Sequence, residues 1–493
     1  MKRRKALKSI GLGVTAGLAL PWLSSCTEEE TGPEVNYDGV VGIIGAGAAG
    51  LFAADYLIAK GVKVKIFEAS NRIGGRVRSI RTSDPLFNDL IADFPIELGA
   101  DRVLGADSEW GNLISLLKVP TVDFRGAEVN AIDKYFLDNQ YKTSAEVAAD
   151  PDFLALVNFR DNILPGYAGG GSVQTAAAAS GVSARVNSIL NSWLGNAYGS
   201  SSNNISANAL GEALSLIEHD GRELTLNINP MSDVLISRFS RATAKVQFNK
   251  AIEFVDYSGE LITLSVKDTV TSEVTSETVN KLIVAVPISI LKAGDIGFNP
   301  ALPGTKVTAM SKIGMDASIR IILEFNRNDI FGADTGFIFG GTESPSSFLS
   351  GVGRSDETKN RTFSFTINGP KAAELSALTD VEKVERVLTE MDNVSPSLFA
   401  TRDVRHKTDD QFNDLGIIYV VQDWTTEPYI KGGQSYPLVG GTNNDRVTLA
   451  EPVGENLYFA GEATDITGEF GTVSGALKSG RRAAEELIVS IVG

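Results

Sequence analysis

Gly45-Ala46-Gly47-Ala48-Ala49-Gly50 and Glu68 are the residues whose types and spacing most plainly serve a chemical purpose. In a strand–turn–helix unit, Gly45 permits the tight turn, Gly47 lets the backbone approach a pyrophosphate, Ala49 lies beside it, and Gly50 lets the helix pack close to the strand. The phosphates would face the helix N-terminus, where N–H groups and the helix dipole favour negative charge. Glu68 is placed to hold ribose hydroxyls. That is dinucleotide chemistry, in which a bound cofactor carries the reaction. The chain offers few reactive groups of its own. Cys26 is the only cysteine, so an internal disulfide and a thiolate metal site are ruled out; His219 and His406 are the only histidines, which argues against a multi-histidine metal site, and no metal is expected.

The elements that must position these residues can be read around them. Val40–Ile44 is a short uninterrupted apolar run, as in a parallel strand covered on both faces. A helix runs from the glycines to about Lys60, Gly61 stops it, and Val64–Phe67 forms a second strand that ends at Glu68.

The run EASNRIGGRV (Glu68 to Val77), with Gly75 and Arg76, resembles the continuation after the ribose acid in flavin amine oxidases, and the resemblance points to FAD rather than NAD. Further motifs follow in order. ELGADRV, with Gly99 and Ala100, resembles the turn whose backbone passes beside the isoalloxazine, and VQFNKAI puts a backbone group near Ile252 at the adenine. Lys292, after Val286-Pro287 and before an N-P-x-L-P turn, takes the place of the family's catalytic lysine, which holds a water beside flavin N5; the plain alternative is a solvated loop lysine. Trp424, in VVQDWTTEPYIKGGQSY, would wall the flavin pocket, or be a core tryptophan. NLYFAGEAT and GEFGTVSGALKSGRRAAEEL resemble the closing FAD motif. There Gly461 and Glu462 would hold a ribityl or phosphate-adjacent group, and the helix starting at Thr472 and Val473 would point at the pyrimidine carbonyl.

Three departures bear on substrate. Gln434 and Thr472 stand where some family members place two tyrosines, with Tyr436 as a nearby substitute, and Ser70 stands where many relatives have an arginine. Arg102 matches the arginine with which L-amino-acid oxidases grip the substrate carboxylate. Its alternatives are pairing with Asp101, Glu97 or Asp107, or contact with a flavin phosphate.

The resemblance implies an α/β fold in which a Rossmann-like FAD-binding domain (38–107, 238–290 and 440–493) is interleaved with a mixed sheet-plus-helix substrate domain (108–237 and 291–439). Residues 108–237 read mainly as helix, with helical spacing at Asn158–Leu164, Ala176–Leu190 and Ala207–Ile217. From Ala244 to Pro287 the period is two, like consecutive antiparallel strands. Ile319–Phe325, Thr362–Ile367 and Ile417–Gln422 read as strands, and Pro370–Met391 as helix. The implied reaction is oxidative deamination of a small-molecule amine or L-amino acid at non-covalent FAD, with oxygen as acceptor giving hydrogen peroxide. A desaturase or porphyrinogen-type oxidase, a dehydrogenase, or a non-catalytic FAD-binding protein on the same fold are the alternatives.

The chain has 493 residues, enough for two domains, and its net charge of −16 argues against a nucleic-acid partner. Residues 1–25 read as an export signal. Lys2-Arg3-Arg4-Lys5 is basic and looks like a twin-arginine start, and Ile10–Leu23 is apolar but too short to span a bilayer. Leu23-Ser24-Ser25-Cys26 resembles a bacterial lipobox, so lipid on Cys26 would be the only membrane contact, with 26–37 as a tether at the cell envelope. Cleavage there would remove five positive charges and no acids, taking −16 to −21.

Overall fold

The computed structural model describes residues 34–80, 90, 92, 94–126, 129, 131–325, 335–354, 361–394, 403–406 and 416–492, so the expected export signal, Cys26 and most of the tether lie outside the described residues. The glycine motif belongs to a five-stranded, all-parallel sheet in the order Val246–Gln247, Lys63–Phe67, Val40–Ile44, Lys281–Val284, Leu457–Phe459. Its central strands are apolar on both faces, and side-chain alternation divides them between two cores. Val41, Ile43, Ile283 and Tyr458 face the helices Ala48–Ala59 and Val473–Val492. Ile44, Leu282, Val284 and Phe459 face a second sheet. The two helices cross where Gly480 meets the first turn, since a Cβ on Gly480 would lie 2.2 Å from the Ala49 carbonyl oxygen.

The second sheet corrects one expectation. Within 244–287 only Lys250–Asp256, Ile262–Asp268 and Val274–Val279 are consecutive antiparallel strands, extended by Gly297–Asn299 running parallel to the first. Val246–Gln247 and Lys281–Val284, at the two ends, join the parallel sheet instead, because their side chains complete its core.

An eight-stranded sheet lies over the other half of the cavity described below. Its order is Asp403–His406, Gly416–Asp423, Ser318–Phe325, Thr362–Asn368, Ser346–Leu349, Thr335–Phe339, Ile132–Leu137, Gln140–Thr143. The strands at 132–137 and 140–143, and those at Thr121–Asp123 and Glu223–Leu226, fall in the stretch expected to be mainly helical. Ile132–Leu137 and Gln140–Thr143 form a local hairpin, but the other partners lie far away in sequence: Ile132–Leu137 also pairs with Thr335–Phe339, and Glu223–Leu226 bridges Thr121–Asp123 and Val103–Leu104.

Two expected helices are each broken in two. Ala176–Leu190 divides at Gly181, φ +86°, into Val173–Ala179 and Asn187–Leu194. Pro370–Met391 divides into Pro370–Ser376 and Asp380–Val394, because Thr379 and Glu382 form a capping box that starts a new helix.

Candidate active site

A cavity of about 1000 Å³ opens between the parallel sheet and the eight-stranded sheet. Its first half is the glycine cradle. Gly45, at φ +100°, turns the chain and donates its N–H to the Phe67 carbonyl at 2.8 Å. A Cβ on Gly50 would lie 2.0 Å from the Gly45 carbonyl oxygen, so Gly50 serves helix packing and is not itself on the wall. Gly47 differs: no heavy atom lies within 4 Å of where its Cβ would be, and that open space at a helix start is the seat a pyrophosphate fits. Ala49 lines the same part of the wall.

Glu68 lies on the wall, with Oε2 accepting from Ala46 N at 2.8 Å and Oε1 from Ser70 N and Oγ at 2.9 and 2.7 Å. A carboxylate has about four lone-pair sites, so one remains for a ribose hydroxyl. Ser70 thus buttresses the acid. Ile252 and Gly75 also line this half.

Two consecutive carbonyls of the Leu98–Ala100 turn are held from the eight-stranded sheet. Trp424 Nε1 donates to Leu98 O at 2.9 Å, and Arg320 Nη2 donates to Gly99 O at 2.9 Å. A Cβ on Gly99 would come within 1.8 Å of the Arg76 carbonyl oxygen, so only glycine fits between the Arg76 backbone and Trp424. Gly99, Ala100 and Trp424 all face the cavity.

Glu462 corrects an expectation. Oε1 accepts from Arg76 Nη1 at 2.8 Å and Ser435 N at 3.2 Å, and Oε2 accepts from Ser435 Oγ at 2.5 Å and Gly471 N at 2.7 Å. Four donors use its acceptor capacity, so it cannot hold a ribityl hydroxyl as expected. It instead ties together the segments at Arg76, Ser435 and Gly471, beside Gly461 on the wall. Burial would raise the Glu462 pKa, but Arg76 and Arg446 outweigh it and hold the carboxyl below its ordinary range. The helix Val473–Val492 starts on the wall as expected, with Thr472 Oγ1 accepting from Gly475 N at 3.0 Å.

The second half of the cavity has Trp193, Tyr198, Phe337, Phe339, Phe348 and Phe470 in its wall. Tyr198 and Phe470 have ring centroids 6.3 Å apart. Burial pushes the Tyr198 phenol up to about 12, so it stays protonated. The turn carrying Tyr198 is fixed by the fully buried Asn196, which donates to Ser346 Oγ and Thr366 O and accepts from Asn368 N. Gln434 is on the wall, its amide donating to Ala197 O at 2.6 Å.

Two expected site residues are elsewhere. Tyr436 is 1% exposed, packed over Gly314 and bonded to Ser200 and Asp316, so it is no substitute for a missing wall tyrosine. Lys292 is not on the wall either: it sits in the helix Ile288–Ala293 with Nζ donating to Ile313 O at 2.7 Å, and burial lowers its pKa.

Arg102 faces the cavity but is already paired. Its Nε meets Asp101 at 3.3 Å and its Nη1 meets Glu223 at 3.7 Å, while Glu97 accepts from Met231 N and Asp107 from Asp220 N. Asp101 is shared with the buried Arg320 at 2.7 Å, and Glu223 with Arg125 at 3.6 Å; Arg125 in turn meets Asp133 at 2.6 Å. Charges thus alternate along this ladder, and of the readings the sequence left open for Arg102 the structure shows the pairing with Asp101. Arg125, Glu223, Arg320 and Tyr198 carried no motif in the sequence; Phe470 lay unremarked inside GEFGTVSG.

Comparison with known proteins agrees with this geometry. The sequence profile described as flavin containing amine oxidoreductase matches residues 48–172 and 180–488. The chain is 26% identical over 473 residues to lysine-specific histone demethylase 2 of Homo sapiens, covering 90% of this chain and 53% of that one. It is 31% identical over 216 residues to polyamine oxidase 4 of Oryza sativa subsp. japonica, covering 44% and 40%. The chain spans about half the length of the curated relatives it matches most fully. Among solved structures it is similar to a triple mutant of putrescine oxidase, with TM-score 0.71, 17% identity, and 92% and 99% of the two chains covered. It is also similar to cyclohexylamine oxidase from Brevibacterium oxydans IH-35A, with TM-score 0.70, 19% identity, and 93% and 100% covered. With a glycine cradle, a clamped turn and an aromatic chamber in one cavity, and the family profile spanning most of the sequence, this chain belongs to the flavin-containing amine oxidoreductases.

Proposed function

We propose that the protein oxidises a small-molecule amine at non-covalently bound FAD, with oxygen taking the electrons to give hydrogen peroxide. The observation that carries this reading is a single cavity in which the cradle around Gly47 runs into the aromatic chamber around Tyr198 and Phe470. FAD, when bound, supplies the two-electron acceptor; the protein supplies placement, electrostatics and exclusion of water. Gly45, Gly47, Ala49, Glu68 and Ile252 would hold the adenosine and pyrophosphate. The clamped turn at Gly99 and the helix start at Thr472 would hold the ring system.

The aromatic chamber supports an amine with an apolar body. Its rings bury that body and keep water from the reacting carbon. An amino acid fits less well, because Arg102 is already paired with Asp101 and Glu223. The cysteine count supports non-covalent binding, since Cys26 is the only cysteine and a cysteinyl bond to the flavin within the domain has no donor.

Purified protein should release all its yellow colour into the supernatant on acid precipitation, and in air it should form one hydrogen peroxide per amine consumed. Colour kept in the pellet would refute non-covalent binding, and amine turnover without peroxide would refute oxygen as acceptor. The export signal and lipid anchor belong to the same proposal. Among the described residues no helix is long and apolar enough to cross a membrane. Cys26→Ser should therefore move the protein from the membrane to the soluble fraction; a variant still membrane-bound in high salt would refute the anchor.

A further inference from the structure

Three chain segments meet at one end of a small three-stranded sheet on the cavity wall. Leu104 pairs with Glu223, and Asp123 with Leu224, so Arg102, Glu223 and Arg125 are brought side by side. All three line the cavity. Both guanidiniums lie over the same Phe337 ring, each with its central carbon 5.0 Å from the centroid. Between them is the Glu223 carboxylate, whose Oε2 is 3.7 Å from Arg102 Nη1 and 3.6 Å from Arg125 Nε. Those separations are ion-pair distances too long for hydrogen bonds, and Oε2 is buried without a hydrogen-bond partner. The outer links of the ladder are much tighter, at 2.7 Å for Arg320 to Asp101 and 2.6 Å for Arg125 to Asp133.

We infer that Glu223 is a specificity-determining residue that occupies, with its own carboxylate, the place between Arg102 and Arg125 that a substrate carboxylate would otherwise take. The inference rests on the amine-oxidation reading and names what that site refuses: amines that also bear a carboxylate. Charge arithmetic gives the direction. Arg320, Arg102 and Arg125 stand against Asp101, Glu223 and Asp133, so the ladder is neutral, and removing the charge of Glu223 leaves it at +1 beside two guanidiniums suited to paired bonds with a carboxylate. The loose geometry supports the same point. Glu223 stands at ion-pair distance from both arginines and hydrogen-bonds neither through Oε2, which leaves guanidinium donors that a free carboxylate could take.

The test is Glu223→Gln, which keeps shape and removes charge, with Glu223→Ala as a second variant that also clears space. Each FAD-loaded protein is given a matched pair, phenethylamine and phenylalanine, and kcat and KM are measured for both. The wild type should prefer the amine strongly. Each variant should lower that preference at least about tenfold, through a lower KM for the amino acid and with the amine constants changed less than about threefold, the scale of one added charge-assisted contact. Adding Arg125→Leu to Glu223→Gln should reverse the gain. A second readout does not depend on turnover: calorimetric titration with phenylacetate should show at least about tenfold tighter binding to Glu223→Gln than to wild type. If the amine reduces the flavin while the preference and phenylacetate affinity stay unchanged in both variants, the inference is wrong and the amine reading survives. If neither phenethylamine nor any other amine reduces the flavin, that reading fails, and calorimetry alone decides whether Glu223 blocks a carboxylate site.

Discussion

Gly47→Val should weaken FAD binding by at least about 100-fold and leave the folded apoprotein almost unchanged. The backbone at Gly47, φ −76° and ψ −179°, is extended and open to any residue, so a side chain brings no strain. The new Cβ enters space with no protein atom within 4 Å, and the branches beyond it fill the seat proposed for the pyrophosphate. Losing contact between the helix N-terminus and two phosphates accounts for a change of this size, since 100-fold is about 2.7 kcal/mol. Flavin-fluorescence titration of the apoprotein gives the affinity, and thermal unfolding without FAD checks the fold. The neighbouring Gly50→Ala should behave in the opposite sense. Its Cβ would sit 2.0 Å from the Gly45 carbonyl oxygen, so the apoprotein itself should lose stability. Equal FAD affinity for Gly47→Val and wild type would move the cofactor seat elsewhere.

Glu462→Gln should destabilise the protein by on the order of 3 kcal/mol at neutral pH, the cost of removing one partner from a buried ion pair. It accepts from Arg76, Ser435 and Gly471, and an amide must turn an N–H against some of those donors. The loss should depend on pH. Because the folded-state pKa of Glu462 is lowered from its ordinary value of 4.5, its contribution is full above about that pH and is lost as pH falls through the folded-state value. Denaturant unfolding at neutral pH and again in acid should therefore show the wild-type and variant stabilities converging in acid. A difference that does not change with pH would mean that the charge of Glu462 contributes nothing.

Much of the parallel-sheet half was legible because its signals are local. The strand Val40–Ile44, the turn at Gly45, the helix ended by Gly61 and the acid at Glu68 are adjacent in sequence, and each depends on backbone sterics or helix-end chemistry. The other half is built by pairings across long separations. Nothing near Glu223 announces that it will lie between Arg102 and Arg125, because that meeting depends on a sheet whose strands come from three segments. Lys292 and Tyr436 are singled out only by their places in motifs, and motif position does not fix side-chain direction. Lys292 turns to the Ile313 carbonyl and Tyr436 into the core. Glu462 stands out in its motif, but its four donors become visible only when Arg76, Ser435 and Gly471 are brought to it.

On the proposed function, an amine in the aromatic chamber would give its electrons to FAD held in the adjoining cradle. Anaerobic titration of the FAD-loaded protein with a panel of amines, followed by visible absorbance, tests this most directly. An amine with an apolar body should bleach the oxidised flavin band with one equivalent per FAD, and readmitted oxygen should restore the band. Bound flavin left unbleached by every amine at millimolar concentration, while dithionite bleaches it fully, would contradict amine oxidation at this site.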